Sequence, residues 1–191
     1  YLAKKGIAKK VIAADIKKGP LFQAEKNIAL FHAGDIVETR LSDGFCAIKD
    51  KEAQCAIIAG MGGETIASIL ENEKGCTYFV LQMQTAHRPL REYLCKNGYV
   101  IEKEAICSEG RKMYTALLAK RGESPHLSEV EMEIGPFLIK HRPPLFEDYV
   151  RYRLYEIDVI LKSISSSPSA NEREKHCLYL KEEYERLLEG A

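Results

Sequence analysis

The chain has 191 residues, 46% of them hydrophobic and 8% aromatic, with no Trp. That is one ordinary domain with room for a small appendage, able to bury roughly 70% of its unfolded surface without help from a disulfide or a metal. Its 28 basic residues balance 28 acidic ones, which excludes a polyelectrolyte tail or a histone-like binder and leaves any nucleic-acid contact to a local patch.

Residues 11–14 are a short apolar run ending in Asp15. Gly19-Pro20 opens a helix whose apolar face carries Leu21, Ala24, Ile28 and Phe31, because Pro suits a first helical turn and the spacing is helical. Residues 36–41 alternate through Val37, Thr39 and Leu41 and stop at Ser42-Asp43-Gly44. Residues 55–59 are continuously apolar, the pattern of a strand buried on both faces, and run into Gly60-Met61-Gly62-Gly63. Ile66, Ile69 and Leu70 mark a second helix. Residues 78–81 predict a fourth strand, and the helix through Leu90, Tyr93 and Leu94 stops at Asn97-Gly98, a good C-terminal cap. Residues 99–107 and 113–119 bracket Ser108-Glu109-Gly110, the pattern of a hairpin.

Repeated strand–helix units closed by a hairpin predict an α/β sheet covered by helices. Such a sheet ordinarily starts with its central strand, so an element ahead of Tyr1 is expected. Composition shifts near Gly122-Glu123-Ser124-Pro125, which predicts a first domain over 1–121 and a second over 122–191. In the second, 145–164 and 170–188 have helical spacing and are joined by Ser165-Ser166-Ser167-Pro168-Ser169, which predicts an antiparallel helical hairpin packed through Tyr149, Tyr152 and Tyr155.

Uncharged stretches such as 55–63 and 75–86 are too short to span a bilayer. Tyr1-Leu2-Ala3-Lys4-Lys5 lacks the pattern of a signal peptide. The six cysteines show no CxxC or CxxH spacing, so no metal site is expected, and Cys46, Cys55 and Cys107 are predicted to be small core residues. A reducing, cytoplasmic setting follows, with no membrane association and no obligatory protein partner. His32, His87, His126, His141 and His176 are scattered and are expected at the surface.

Ligands of doubly wound sheets sit outside the carboxyl ends of the strands. Those ends are Asp15, Ser42-Asp43-Gly44, Gly60-Met61-Gly62-Gly63 and Gln82. A carboxylate at the first can accept from both hydroxyls of a ribose, and Asp43 can accept from an adenine amino group. The glycines let backbone approach a flat ligand. Each has a plainer reading: Asp15 as a helix cap, Asp43-Gly44 as a turn, the glycine run as a tight connection. Occurring together at successive strand ends, they favour a nucleoside-containing cofactor.

Asp15-Ile16 with Gly19-Pro20, then Ser42-Asp43-Gly44, then Ile57-Ile58-Ala59-Gly60-Met61-Gly62-Gly63 resembles the bacterial tRNA (adenine-22-N1)-methyltransferase family. Leu81-Gln82, Leu90-Arg91, Asn97-Gly98-Tyr99, Tyr114, Gly135-Pro136 and Pro144-Leu145-Phe146 continue the match in order. The resemblance implies a Rossmann-like class I methyltransferase sheet with a small C-terminal helical hairpin domain, S-adenosyl-L-methionine as cofactor and tRNA as partner. The family's first motif, a strand ending Asp-Ile-Gly-Ser-Asp-His, is expected ahead of Tyr1. Gln82-Met83-Gln84 stands where the family has Gln-Pro-Asn.

By that resemblance, Asp15 and Ile16 belong at the cofactor ribose and Ser42, Asp43 and Gly44 at its adenine. Ala59, Gly60 and Met61 face the cofactor, Gly62 lies beside the substrate, and Gln82 is the candidate at the target base. N1 of adenine is already nucleophilic, so the reaction needs alignment more than a strong base. N1 also lies on the Watson–Crick edge, so the base must be unpaired or extruded. Arg88 and Arg91, and the cluster of Lys140, Arg142 and Arg151, are candidates for tRNA contact. Residues 1–28 add seven lysines against Asp15 and Glu25. The alternatives are a nicotinamide-dependent dehydrogenase, for which no Tyr-x-x-x-Lys pattern stands out, and a non-catalytic RNA-binding scaffold.

Overall fold

The computed structural model describes residues 1–164 and 168–190; residues 165–167 of the predicted interhelical linker lie outside them. The chain divides into two compact units, Tyr1–Gln54 with Ser68–Cys76, and Cys55–Ala67 with Thr77–Ala191. Among the described residues the strands form two sheets, one of two strands and one of four.

The first unit is built on a parallel pair, β1 (Val11–Asp15) and β2 (Val37–Leu41), in register from Val11 opposite Val37 to Asp15 opposite Leu41. The crossover is α1 (Lys18–Leu30), which packs on both strands. Leu21 is buried and Ala24 and Ile28 are half-buried, as the spacing predicts. Phe31 is not part of that face. It sits just past the last helical turn, 57% exposed, under the ammonium of Lys4. The segment after β2 is clamped by Arg40, whose guanidinium donates to Glu52 (2.7 Å) and to the carbonyl of Ala47 (2.9 Å). The Arg40 bond, with a backbone N–H from Lys49, holds the half-buried Glu52 carboxyl down to about 2.

The second unit carries the sheet β3-β4-β6-β5, with β3 (Cys55–Gly62) parallel to β4 (Tyr78–Thr85) and the hairpin β5 (Tyr99–Glu109) and β6 (Lys112–Arg121) antiparallel. Phe79, Leu81 and Met83 alternate onto one buried face of β4, and Thr115, Leu117 and Ala119 do the same on β6, the period-2 pattern of a sheet face. The hairpin turn is Gly110-Arg111, so Ser108 and Glu109 are paired strand residues rather than the turn itself.

Two expectations differ from the structure. Residues 55–59 are not buried on both faces: Ile58 is buried, but Ile57 points to the opposite face of the pleat and is 54% exposed. Cys46, Cys55 and Cys107 are exposed rather than core residues, the last two on the two edge strands; Cys76 and Cys177 are the buried thiols.

The helix α2 (Gly63–Leu70) follows β3, and α3 (His87–Lys96) follows β4 and ends at Asn97 and Gly98 as predicted. Beyond residue 121 come α4 (Glu129–Ile134), closed by a Ser128–Glu131 capping box, and α5 (Pro136–His141). The long helices α6 (Phe146–Ser163) and α7 (Pro168–Glu189) follow. Lys181 pairs with Asp158 at 2.7 Å, and Arg142, just before α6, donates to the carbonyl of Leu187 near the end of α7. The two helices are therefore antiparallel. Tyr149, Val150, Ile157, Cys177, Leu180 and Tyr184 make their shared core. Tyr155 points outward at 67% exposed, because six residues along a helix turn it away from Tyr149.

Candidate functional site

In the first unit the two acid-bearing strand ends meet. Asp15 closes β1, and its main-chain carbonyl accepts from the N–H of Ser42 at 2.9 Å, extending the parallel pairing by one step. The Asp15 carboxylate uses one oxygen to accept from the N–H of Lys17 (2.7 Å), which shapes the turn into α1. Its other oxygen keeps its accepting capacity, since the carboxylate is acceptor on both. Ile16 beside it is 59% exposed.

The loop after β2 is braced from within. Ser42 is buried, and its hydroxyl donates to the carbonyl of Gly44 (2.8 Å) while accepting from the N–H of Ala47 (3.0 Å). The N–H of Cys46 donates to the carbonyl of Asp43 at 3.0 Å. The donor of the Ser42 hydroxyl and one of its lone pairs are thus spent within the loop, so Ser42 shapes the loop. Gly44 has a left-handed φ of 51°, and a Cβ there would stand 3.0 Å from Ile69 Cγ2, so the turn needs glycine on both counts. Asp43 is exposed, and its carboxylate has no partner among the described residues. A cavity of about 90 Å³ opens beside it, lined by Asp43, Gly44, Phe45, Cys46, Ser68, Ile69 and Asn72.

In the second unit, Ala59, Gly60 and Met61 lie in an irregular end of β3, where the register against β4 shifts on either side of Met61. Gly60, at φ 78°, turns its N–H to the side-chain oxygen of Gln82 (2.8 Å), and the Gln82 amide nitrogen donates to the carbonyl of Met83 (2.8 Å). Gln82 is therefore not at a strand end but three residues inside β4, with both halves of its amide spent on backbone. Gln84 and Thr85 are the exposed residues that end the strand. Met61 is 39% exposed, and Gly62 lies opposite Thr85.

The basic candidates differ sharply. Arg91 is corrected: it is fully buried, donates to Glu104 through Nε (3.1 Å) and Nη2 (2.8 Å), and satisfies the carbonyls of Met132, Glu133 and Ile134. It fastens α3 to the end of α4 and has nothing to offer a phosphate. Arg88 is about one-third exposed and bonded to Glu92 (2.7 Å) and Glu129 (3.4 Å). Lys140 is exposed in the last turn of α5. Arg142 is tied to Leu187 and lies over the Phe146 ring. Arg151 is exposed, paired at 3.0 Å with Glu147. Arg142 and Arg151 line a cleft of about 500 Å³ with Pro143, Pro144, Glu147 and Asp148.

Sequence reasoning missed His87. Rather than lying at the surface, it is largely enclosed at the start of α3 with Nδ1 3.4 Å from the hydroxyl of Thr115. Burial, ahead of the Arg153 and Arg91 charges, pushes its pKa down to about 2, so it is neutral at physiological pH. Its position directly after β4 was the available signal. Among the described residues no three His, Cys, Asp or Glu side chains are placed to hold a metal ion, and no helix is long and apolar enough to cross a membrane.

Comparison with known proteins gives a consistent set of relatives. The family model described as tRNA (adenine(22)-N(1))-methyltransferase matches residues 1–187. The tRNA (adenine(22)-N(1))-methyltransferase of Bacillus subtilis is 30% identical over 187 residues, 93% of this chain and 79% of that protein. A Streptococcus agalactiae protein of the NADB-Rossmann superfamily superposes with a TM-score of 0.86 at 27% identity, over 98% of this chain and 83% of that one. M. capricolum TrmK, solved with the cofactor product S-adenosyl-homocysteine, superposes with a TM-score of 0.81 at 26% identity, over 97% of this chain and 84% of that one.

Proposed function

The chain belongs to the tRNA (adenine(22)-N(1))-methyltransferase family, with a Rossmann-like fold and S-adenosylmethionine as methyl donor, and from that premise we propose which of its residues carry each part of the reaction. Family membership disfavours the dehydrogenase and scaffold readings. The observation that carries the residue assignment is the bond from Ser42 N–H to the Asp15 carbonyl, which keeps two acid-bearing strand ends on one edge.

Asp15 accepts from the ribose hydroxyls of the cofactor through the oxygen left free by Lys17, with Ile16 covering the sugar. Asp43, unpaired beside a cavity, accepts from the adenine amino group, while Ser42 and Gly44 set the loop that presents it. The donor set fits a nucleoside: acceptors for hydroxyls and an amine, and a small apolar wall at Ile69. Ala59, Gly60 and Met61 supply a second cofactor-facing stretch of backbone, with Gly62 at the substrate. Gln82 acts there by holding the Gly60 amide rather than by contacting the target base. The cofactor supplies the methyl group from its sulfonium; the protein's work is to orient an extruded adenine and exclude water.

Residues 1–121 serve as the cofactor-binding part and 122–191 as a grip on tRNA, through Lys140, Arg142 and Arg151, with Arg88 a further contact. A tRNA substrate also supports a cytoplasmic setting.

Two measurements test this. In calorimetry with S-adenosylhomocysteine, Asp15→Ala is expected to weaken binding by about 1.5–3 kcal/mol, the usual loss for charge-assisted hydrogen bonds. Asp15→Asn, which preserves the bond from Lys17 N–H, separates the charge from the turn. Unchanged affinity in both variants removes Asp15 from the site. For tRNA, Lys140→Ala with Arg151→Ala is expected to flatten the dependence of log K on log salt by about 0.9 for each phosphate no longer neutralised. Both side chains are exposed, unlike Arg142, so the fold is left alone. An unaltered salt slope places the RNA grip elsewhere.

A further inference from the structure

The outward side of α1 carries a feature that neither the core nor the cofactor assignment uses. Lys18, Phe22 and Lys26 recur at four-residue spacing and therefore form one exposed ridge, flanking the face that carries Leu21, Ala24 and Ile28. Phe22 is 58% exposed, and the Lys26 ammonium lies 4.4 Å from its ring centroid. Glu25, the acid next to the ridge, is turned away to accept from the hydroxyl of Thr39 at 2.9 Å. The surrounding residues 1–28 hold seven lysines against two acids. Of these, Lys10 is drawn off by Glu38 at 3.2 Å, whereas Lys18 and Lys26 have no acidic partner among the described residues. Lys4 over Phe31 repeats the cation-and-ring arrangement in the same unit.

A single exposed aromatic ring is ordinary. A ring flanked on one helix ridge by two uncompensated lysines is a different object. Its charge complements phosphate, and its face suits a base that has left its helical stack. We propose that the Lys18–Phe22–Lys26 ridge is a docking strip for RNA carrying an unpaired nucleotide, the base lying on Phe22 as the Lys26 ammonium, which sits over that ring in the free protein, swings to an adjoining phosphate and Lys18 meets another. This rests on the reading of tRNA as substrate and adds to it a binding surface outside the 122–191 grip. Phe22 is absent from the core, so its replacement leaves folding untouched.

The test measures binding of the full chain to a tRNA transcript and to a blunt RNA duplex across a salt series. Phe22→Ala is expected to weaken tRNA binding roughly tenfold, the order found for loss of one base–aromatic stack, with no change in salt slope and none on the duplex. Lys18→Gln with Lys26→Gln is expected to lower the salt slope on both RNAs by about 0.9 for each phosphate released. S-adenosylhomocysteine affinity and thermal midpoint stay unchanged in every variant, which reports that the fold and cofactor site are intact. If the wild-type chain binds tRNA but Phe22→Ala does not alter it, or alters duplex binding equally, the ridge proposal is overturned and the family reading stands. Binding of phosphatidylserine vesicles that depends on Phe22, with tRNA binding indifferent to it, assigns the ridge to a membrane surface instead. A wild-type chain that binds no tRNA overturns both.

Discussion

Glu104→Ala is expected to lower unfolding free energy by about 3–5 kcal/mol, the loss seen when one partner of a buried ion pair is removed. Glu104 is 6% exposed and Arg91 is not exposed at all. The carboxylate takes two bonds from the Arg91 guanidinium and accepts from the N–H of Phe137 (2.9 Å) and, more weakly, Leu138 (3.4 Å) at the start of α5. Removing it leaves a full positive charge and two helix-end donors stranded away from water. Urea denaturation of the variant measures the effect. A loss under about 1 kcal/mol, the scale of an exposed pair, means that water reaches the site. Replacing both partners together with apolar residues should cost much less than either single change, because it is the unpaired charge that is expensive.

Gly63→Ala should be nearly as damaging, at about 3 kcal/mol or more, through overpacking. A Cβ at residue 63 would overlap the carbonyl oxygen of Ala86 and stand 3.1 Å from the Leu90 Cβ. Neither neighbour can yield: Ala86 is itself in a left-handed conformation at φ 57°, and Leu90 is fully buried on α3. Differential scanning calorimetry of the variant, with Glu64→Ala as an exposed control one residue along, isolates the steric term. Equal midpoints for the two variants would show that the corner relaxes freely.

These two positions also mark how far the sequence could be read. The elements came from periodicity and turn residues, and Asp15, Asp43 and the glycine run stood out because strand ends are where a parallel sheet presents its ligands. Glu104 was illegible. Alternation from Tyr99 would have put Lys103 and Ala105 inward, but the register of β5 against β6 slips between Ile101 and Lys103, and this bulge turns Glu104 inward instead. Arg91 misleads for the same reason: a basic residue near a strand end suggests phosphate until its buried acid is known. Gln82 looks like a strand-end amide because the apolar run stops at Leu81, yet pairing with β3 and β6 carries β4 on to Thr85. Patterns of polarity carry no trace of a slip in register, nor of which neighbour's hydrogen bond lengthens a strand.

The bracing at the tips of β1 and β2 has a thermodynamic consequence. With the Ser42 amide already bonded to Asp15 and its hydroxyl already closing the loop to Ala47, neither tip has much conformational freedom to surrender to the nucleoside that we propose they hold. Entropy that a slack lip would give up at that moment is absent from the free protein to begin with, so little of the attraction at the two acids is consumed in ordering them.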